Sequence, residues 1–489
     1  MTPSYTFLLC FLTLYFSLMS SISSQNSTQI IEGRVLLSSG KPFKKPIAIS
    51  NGDTLVYTNN KGGFSIEVEK GSAIFPIIPS GYSVQTKSWW HIVQDSRKEY
   101  NFILQKEKTS TSFKVLAIGD IQIGSSEELL YAANSILKEV NNRDDYDLTI
   151  YLGDLVNDTP ELFSSLKTMI ENTEKMYRVV YGNHDRNFSS SQESQTDLFR
   201  NYFGPENYAF YKNGILFITL NSITPKGSYG YDETYPNNQL RFISQLLKNV
   251  PKSTPIVINQ HVPLLFMTNK DSLIQILDSF KKTLLLSGHT HTVFQNYIKT
   301  PSGNTIHELT AGASCGNWWR GQKDWEGTPT SLMQCGTPKG YFEIDFNGND
   351  YKLTYKGVGL PKEKQSSLWV DTYKGSPTSF VSKNREIYLN VFAGSEKTKV
   401  EIHMPDGTIL PMKKTREMDP FVHYIQQSQK SKNAPDKDSQ VAPYTKRNSP
   451  HLWKVSLPET LQSGGYSLKF TITDEKLNPI ETSYWIWIE

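Results

Sequence analysis

Between residues 30 and 104 apolar and polar positions alternate in short runs, at 33–37, 46–49, 55–58 and 64–68, each broken by glycine, asparagine or proline. Period-two alternation with frequent turn residues predicts a small β-sandwich over 28–108. After the polar connector 106–111 the pattern changes. Solid apolar runs appear at 113–118, 148–152, 177–181, 215–220, 256–258 and 284–286, as expected of strands buried on both faces. Helical periods lie between them. Ser125, Ser126, Glu127 and Glu128 open a helix expected to reach about Val140, with a capping box at Ser125 and Glu128. Residues 236–250 have the helical period, with Pro236 at the start and Pro251 after the end. Strands alternating with helices predict an α/β sandwich over 112–360. Past the Pro/Lys-rich linker 361–367, strand-like runs return at 386–392, 398–403, 453–455, 466–473 and 483–488, predicting a C-terminal β domain over 368–489. The polar tract 426–449 is expected to be a surface loop.

The N-terminus adds a separate signal. An apolar run at 7–19 followed by Ser20, Ser21, Ile22, Ser23 and Ser24 matches a secretory signal peptide, although residues 1–5 hold no Lys or Arg. The run is shorter than the roughly 20 residues a membrane helix needs. The expectation is removal of 1–24, no stable span afterwards, and a secreted, periplasmic or cell-surface protein. The composition is globular, 37% hydrophobic and 20% charged over 489 residues. A net charge of +3 provides no field to recruit nucleic acid. With Cys10 removed, Cys315 and Cys335 remain, close enough in sequence for a disulfide or for two unrelated thiols.

The chemistry is at the ends of the central strands. There stand Asp120 and Gln122 after Gly119; Asp154 after Gly153; Asn183, His184 and Asp185 after Gly182; His261 after Gln260; and His289 and His291 around Thr290. A single polar residue at a strand end is a turn residue more often than a ligand. Five successive ends bearing nitrogen and oxygen donors point to a metal site, and donors without thiolate suit Mn, Fe or Zn.

These residues, in this order, resemble the calcineurin-like metallophosphoesterases, whose pattern is D-x-H, G-D-x-x, G-N-H-D/E, H and G-H-x-H. The flanking regions, with Gly316, Asn317, Trp318 and Trp319 and the stretch 336–341, are similar to a bacterial branch carrying N- and C-terminal β domains. The resemblance implies a central metallophosphoesterase α/β sandwich of two mixed sheets flanked by helices, with a small β-sandwich on each side. It implies two divalent metal ions, with Asp154 bridging, Asp120 and His291 on the first, and Asn183, His261 and His289 on the second. His184 matches the catalytic histidine, with Asp185 as its orienter. A metal-bridging hydroxide would attack the phosphorus of a mono- or diester, with the ions roughly 3.5 to 4 Å apart.

Gln122 departs from the pattern, standing where the family has histidine; its carbonyl oxygen either coordinates the first metal or faces the next layer. Trp318, Trp319 and Arg320 follow the last motif and read either as a pocket wall, with Arg320 on a phosphate oxygen, or as packing. The expected partner is a small-molecule, lipid or glycan phosphate ester. The rival reading is a degenerate metal site on a glycan- or surface-binding protein.

Overall fold

The computed structural model describes residues 28–85, 88–97, 99–370, 385–429 and 447–488. The apolar run 7–19 and its serine tail lie outside them.

The centre is two mixed sheets facing each other. One runs in the order Met176–Val179, Leu148–Tyr151, Ser112–Ile118, Gly340–Asn347, Asp350–Gly357, the first three strands parallel and the last two antiparallel. The other runs Tyr208–Lys212, Ile215–Thr219, Ile256–Asn259, Thr283–Ser287, Thr305–Ala311, Val293–Lys299, with four parallel strands between antiparallel edges. Every residue of Leu148–Tyr151, Ile256–Asn259 and Thr283–Ser287 is buried. Layers on both faces leave such strands no polar side, which is why their sequences are mostly apolar.

Helices cover the sheets. Asn237–Lys248 lies inside the expected 236–250 and buries Phe242, Ile243, Leu246 and Leu247. The helix expected over 125–140 starts as read, with Ser125 Oγ accepting the Glu128 N–H, but Glu128 caps differently: its carboxylate accepts from Gly124 rather than Ser125. A π-turn at Ala133–Leu137 then interrupts the α-helix.

Residues 28–106 form two four-stranded sheets, and the C-terminal region forms two more from 366 to 488. Trp89 and Trp90 join the first region to the centre. Trp89 packs on Tyr208 and under the buried guanidinium of Arg178, while Trp90 lies against Gly204. The tract expected to be loop from 426 begins in the helix Pro420–Gln429, and residues 430–446 lie outside the described residues.

Candidate functional site

The parallel strands of both sheets end on one side, and there the chain turns sharply. Asp120, Gln122, Asp154, Asp158, His289 and His291 all have positive φ, between 35° and 71°. Non-glycine residues pay for that conformation, and it concentrates where a site dictates the backbone. Glycines at these turns are there for space. A Cβ on Gly182 would lie 2.2 Å from the Asp154 amide nitrogen; one on Gly153, itself at φ +91°, would lie 2.6 Å from His261 Nδ1.

One group of donors surrounds Asp154. Its Oδ2 lies 3.1 Å from His261 Nε2, which is 3.1 Å from Asn183 Oδ1 and 3.2 Å from His289 Nδ1. Ligand atoms of Asp154, His261 and His289 all lie within 4.8 Å of one another. A second group forms at Asp120, whose Oδ1 is 3.7 Å from His291 Nε2 and whose two oxygens accept the His289 N–H. The rings are aimed by their other nitrogens. His261 Nδ1 bonds to the Leu152 carbonyl and His291 Nδ1 to the Gly316 carbonyl, both at 2.8 Å, so Nδ1 carries a proton and Nε2 is the nitrogen turned toward the carboxylates.

The donor set fits divalent cations. Burial holds His289 down to about 3 and His291 to about 4, leaving both rings neutral and able to donate. Burial drives Asp120 well above the usual carboxylate range, opposed by His261 and reinforced by Asp154. For His261 burial works against the charged form, yet the Asp154 and Asp120 carboxylates outweigh it and raise the ring to about 9. Protons thus gather where two desolvated carboxylates call for positive charge, the place cations would take.

His184 stands at the opening, with 30% of its side chain exposed, and its Nδ1 bonds to Asp158 Oδ1 at 2.8 Å. Burial opposes its protonation, but Asp154 and then Asp158 raise its pKa above the usual histidine value. Asp185 does not touch the ring, contrary to the expected orienting role. The turn Asn183–Asp185 folds its carboxylate inward, where it is fully buried and accepts N–H groups from Leu155, Val156 and Gly182. It ties two ligand-bearing loops together.

Gln122 is buried beside the first group, its amide nitrogen 3.4 Å from Asn157 Oδ1 and its oxygen 3.9 Å from the Cys315 thiol. Cys315 and Cys335 are both buried and free, so no disulfide joins them. Trp318 stacks on the His291 ring, 4.1 Å between centroids, and is half-buried at the site. Trp319 is not a pocket wall: it is 4% exposed and its indole N–H donates to the Ile121 carbonyl. Arg320 is exposed.

Two residues went unnamed as site groups at the sequence level. Arg186 spans from the Asn183 carbonyl to those of Tyr229 and Gly230, fastening the hairpin Thr224–Lys226/Gly230–Asp232 beside the site. Glu233, just past that hairpin, brings a carboxylate oxygen 3.8 Å from His289 Nε2. A basic and an acidic residue bounding a long loop are weak signals without the fold.

Two family profiles match. Residues 113–293 match calcineurin-like phosphoesterase, and residues 308–478 match the C-terminal domain of calcineurin-like phosphoesterase. The chain belongs to the calcineurin-like phosphoesterases. It is a metal-dependent phosphoric ester hydrolase. Among solved structures, a dimetal phosphatase from Danio rerio is similar at 12% identity, covering 50% of this chain and 96% of its own, with a TM-score of 0.35. TT1561 of Thermus thermophilus covers 50% of this phosphoesterase and 98% of its own chain at 10% identity and a TM-score of 0.31. An archaeal phosphodiesterase covers 50% and 99% at 13% identity and a TM-score of 0.23. Among curated proteins none matches.

Proposed function

We propose that this phosphoesterase uses two divalent ions to hydrolyse a phosphate mono- or diester outside the cytoplasm. One observation carries the reading: Asp120 and Asp154 are buried with imidazole nitrogens beside each, His291 Nε2 at the first and His261 Nε2 at the second, where His289 also lies within 4.8 Å. Asp120 and His291 would hold one ion, with Gln122 within reach of that side; Asn183, His261 and His289 would hold the other, and Asp154 would serve both. When bound, such ions supply Lewis acidity toward the phosphoryl oxygens and a hydroxide nucleophile at neutral pH.

The chain's own groups supply the rest. His184, fixed through Nδ1 by Asp158, keeps Nε2 for the phosphate ester, and its raised pKa leaves it able to hold a proton for the departing alkoxide. Asp185 keeps the loops carrying Asp154 and Asn183 at one spacing through three backbone N–H groups. Trp318 covers one face of His291 and restricts water there. Export rests on the apolar run 7–19 and the serines after it. No helix among the described residues is long and apolar enough to cross a membrane.

Metal analysis together with turnover of aryl phosphate mono- and diesters tests this. The expected result is close to two Mn, Fe or Zn per chain and hydrolysis abolished by chelation and restored by the metal. A protein that binds a single ion with full activity refutes the two-ion reading, and one that rebinds none and hydrolyses nothing refutes the mechanism. Mass spectrometry of the exported protein should show an N-terminus near residue 25.

A further inference from the structure

The pole of the central domain opposite the metal-ligand loops holds a cavity of about 320 Å³. Ile215, Ile256, Thr283 and Thr305, each the first residue of its parallel strand, line it. His261 and His289 follow the far ends of two of these strands, so roughly 15 Å of sheet, the rise of about five residues, separates the two places. The other wall comes from the hairpin at Asp350 and from Lys397, Glu475 and Lys476 of the C-terminal domain. That domain is anchored here: Leu353 N–H donates to the Lys476 carbonyl, and Lys352 Nζ donates to the carbonyls of Glu475 and Leu477. The cavity exists only where the two domains meet.

Its wall is positively charged. Lys397 pairs with Glu475 and Lys476 with Asp350, both at 2.7 Å, leaving Lys281 and Lys282 as charge that no carboxylate neutralises at ion-pair distance among the described residues. The paired lysines are also held in place. Tyr297, His307 and Tyr351 stack nearly parallel, and Lys397 caps the Tyr297 face at 3.9 Å while Lys476 lies over Tyr351 at 4.5 Å. Thr283, 5% exposed, also lines the cavity.

We propose that this cavity is a second binding site, for a small organic anion bearing phosphate or carboxylate groups. The volume is at the lower end of small-molecule pockets, roughly 300 to 1,000 Å³, which suits a sugar phosphate or a di- or tricarboxylate rather than a polymer. Lysines supply point charges for either group.

Amide hydrogen exchange of the metal-loaded full chain reads the two places separately. Inorganic pyrophosphate and tricarballylate, added in separate titrations, are expected to slow exchange at 281–284 and 474–477. The Lys281→Ala/Lys282→Ala protein, altered at exposed side chains and checked for an unchanged melting temperature, should need at least about tenfold more of the same anion. Its turnover of aryl phosphate should be unchanged. A response to pyrophosphate alone assigns a phosphoryl ligand, and one to tricarballylate alone a carboxylate; both support the site. No protection by either anion at about 10 mM, or protection unaltered in the double variant, overturns it.

Discussion

His184 takes its orientation from Asp158, four residues past the Asp154 ligand, while Asp185 faces inward to three N–H groups. Two carboxylates near one histidine therefore have separable functions. His184→Ala should slow turnover by about a hundredfold or more with metal content unchanged, the scale for losing an acid–base group. Asp158→Asn keeps an oxygen for the ring and should cost less, about tenfold. Asp185→Ala strands buried donors at about 1–3 kcal/mol each, so it should lower melting temperature and metal content together. Kinetics, metal analysis and thermal denaturation of the three proteins check this; an Asp185→Ala protein that keeps full metal and stability removes its loop-tying function.

At the scale of elements, three of the strand ends work because a glycine, Gly153, Gly182 or Gly288, lets a ligand from another strand end approach. Gly153→Ala combines a left-handed backbone with a Cβ 2.6 Å from His261 Nδ1. The expected outcome is a displaced His261, metal affinity down at least about tenfold, and a stability loss of about 1–3 kcal/mol. Metal titration and denaturant unfolding measure both. In the same sheet as Asp120 and Asp154, Glu343 of the interior strand Gly340–Asn347 bonds to Arg143 at 2.6 Å and to Lys362 at 2.7 Å. Burial raises its pKa, yet Arg143 and Lys362 outweigh that and hold it below the usual carboxylate value. Because the folded pKa lies below the unfolded one, the contribution is complete above the unfolded value and is lost as pH falls through the depressed range. Glu343→Gln should cost about 3 kcal/mol at pH 7 and progressively less in acid, read from melting temperatures across pH. A difference independent of pH would show that the charge is not what stabilises this strand.

At the scale of the molecule, the central core is continuous with both flanking regions. Phe75, Ile77, Trp89 and Trp90 from the N-terminal sheets, and Phe392, Ala393 and Leu477 from the C-terminal ones, belong to the same buried cluster as the central strands. Separate clusters fill the interior of each flanking sandwich. Trp89→Ala would open a cavity under Arg178, whose guanidinium lies 4.5 Å from the Trp89 ring and is buried. A loss of about 3–5 kcal/mol is expected, with one cooperative transition broadening or splitting as the N-terminal sheets uncouple. Calorimetry would show it. A single transition of unchanged width and midpoint would mean that Trp89 does not couple the regions.

The sequence by itself determined which strands are buried on both faces and which residues stand at their ends, because solid apolar runs and the polar residue after each are local patterns. Asp120, Asp154, Asn183, His261, His289 and His291 were readable for that reason, and at four of the five ends a glycine announced the turn. Tertiary structure decided everything that depends on partners. It chose Asp158 over Asp185 for His184, since a three-residue turn sets which way neighbouring side chains point. It buried Trp319 while leaving Trp318 against His291, and it kept Cys315 and Cys335 apart as thiols. It also brought Lys281 and Lys282 to Lys397 and Lys476, residues more than a hundred positions on, around one cavity. Local sequence records where a side chain leaves the backbone; only packing of distant segments supplies what it meets.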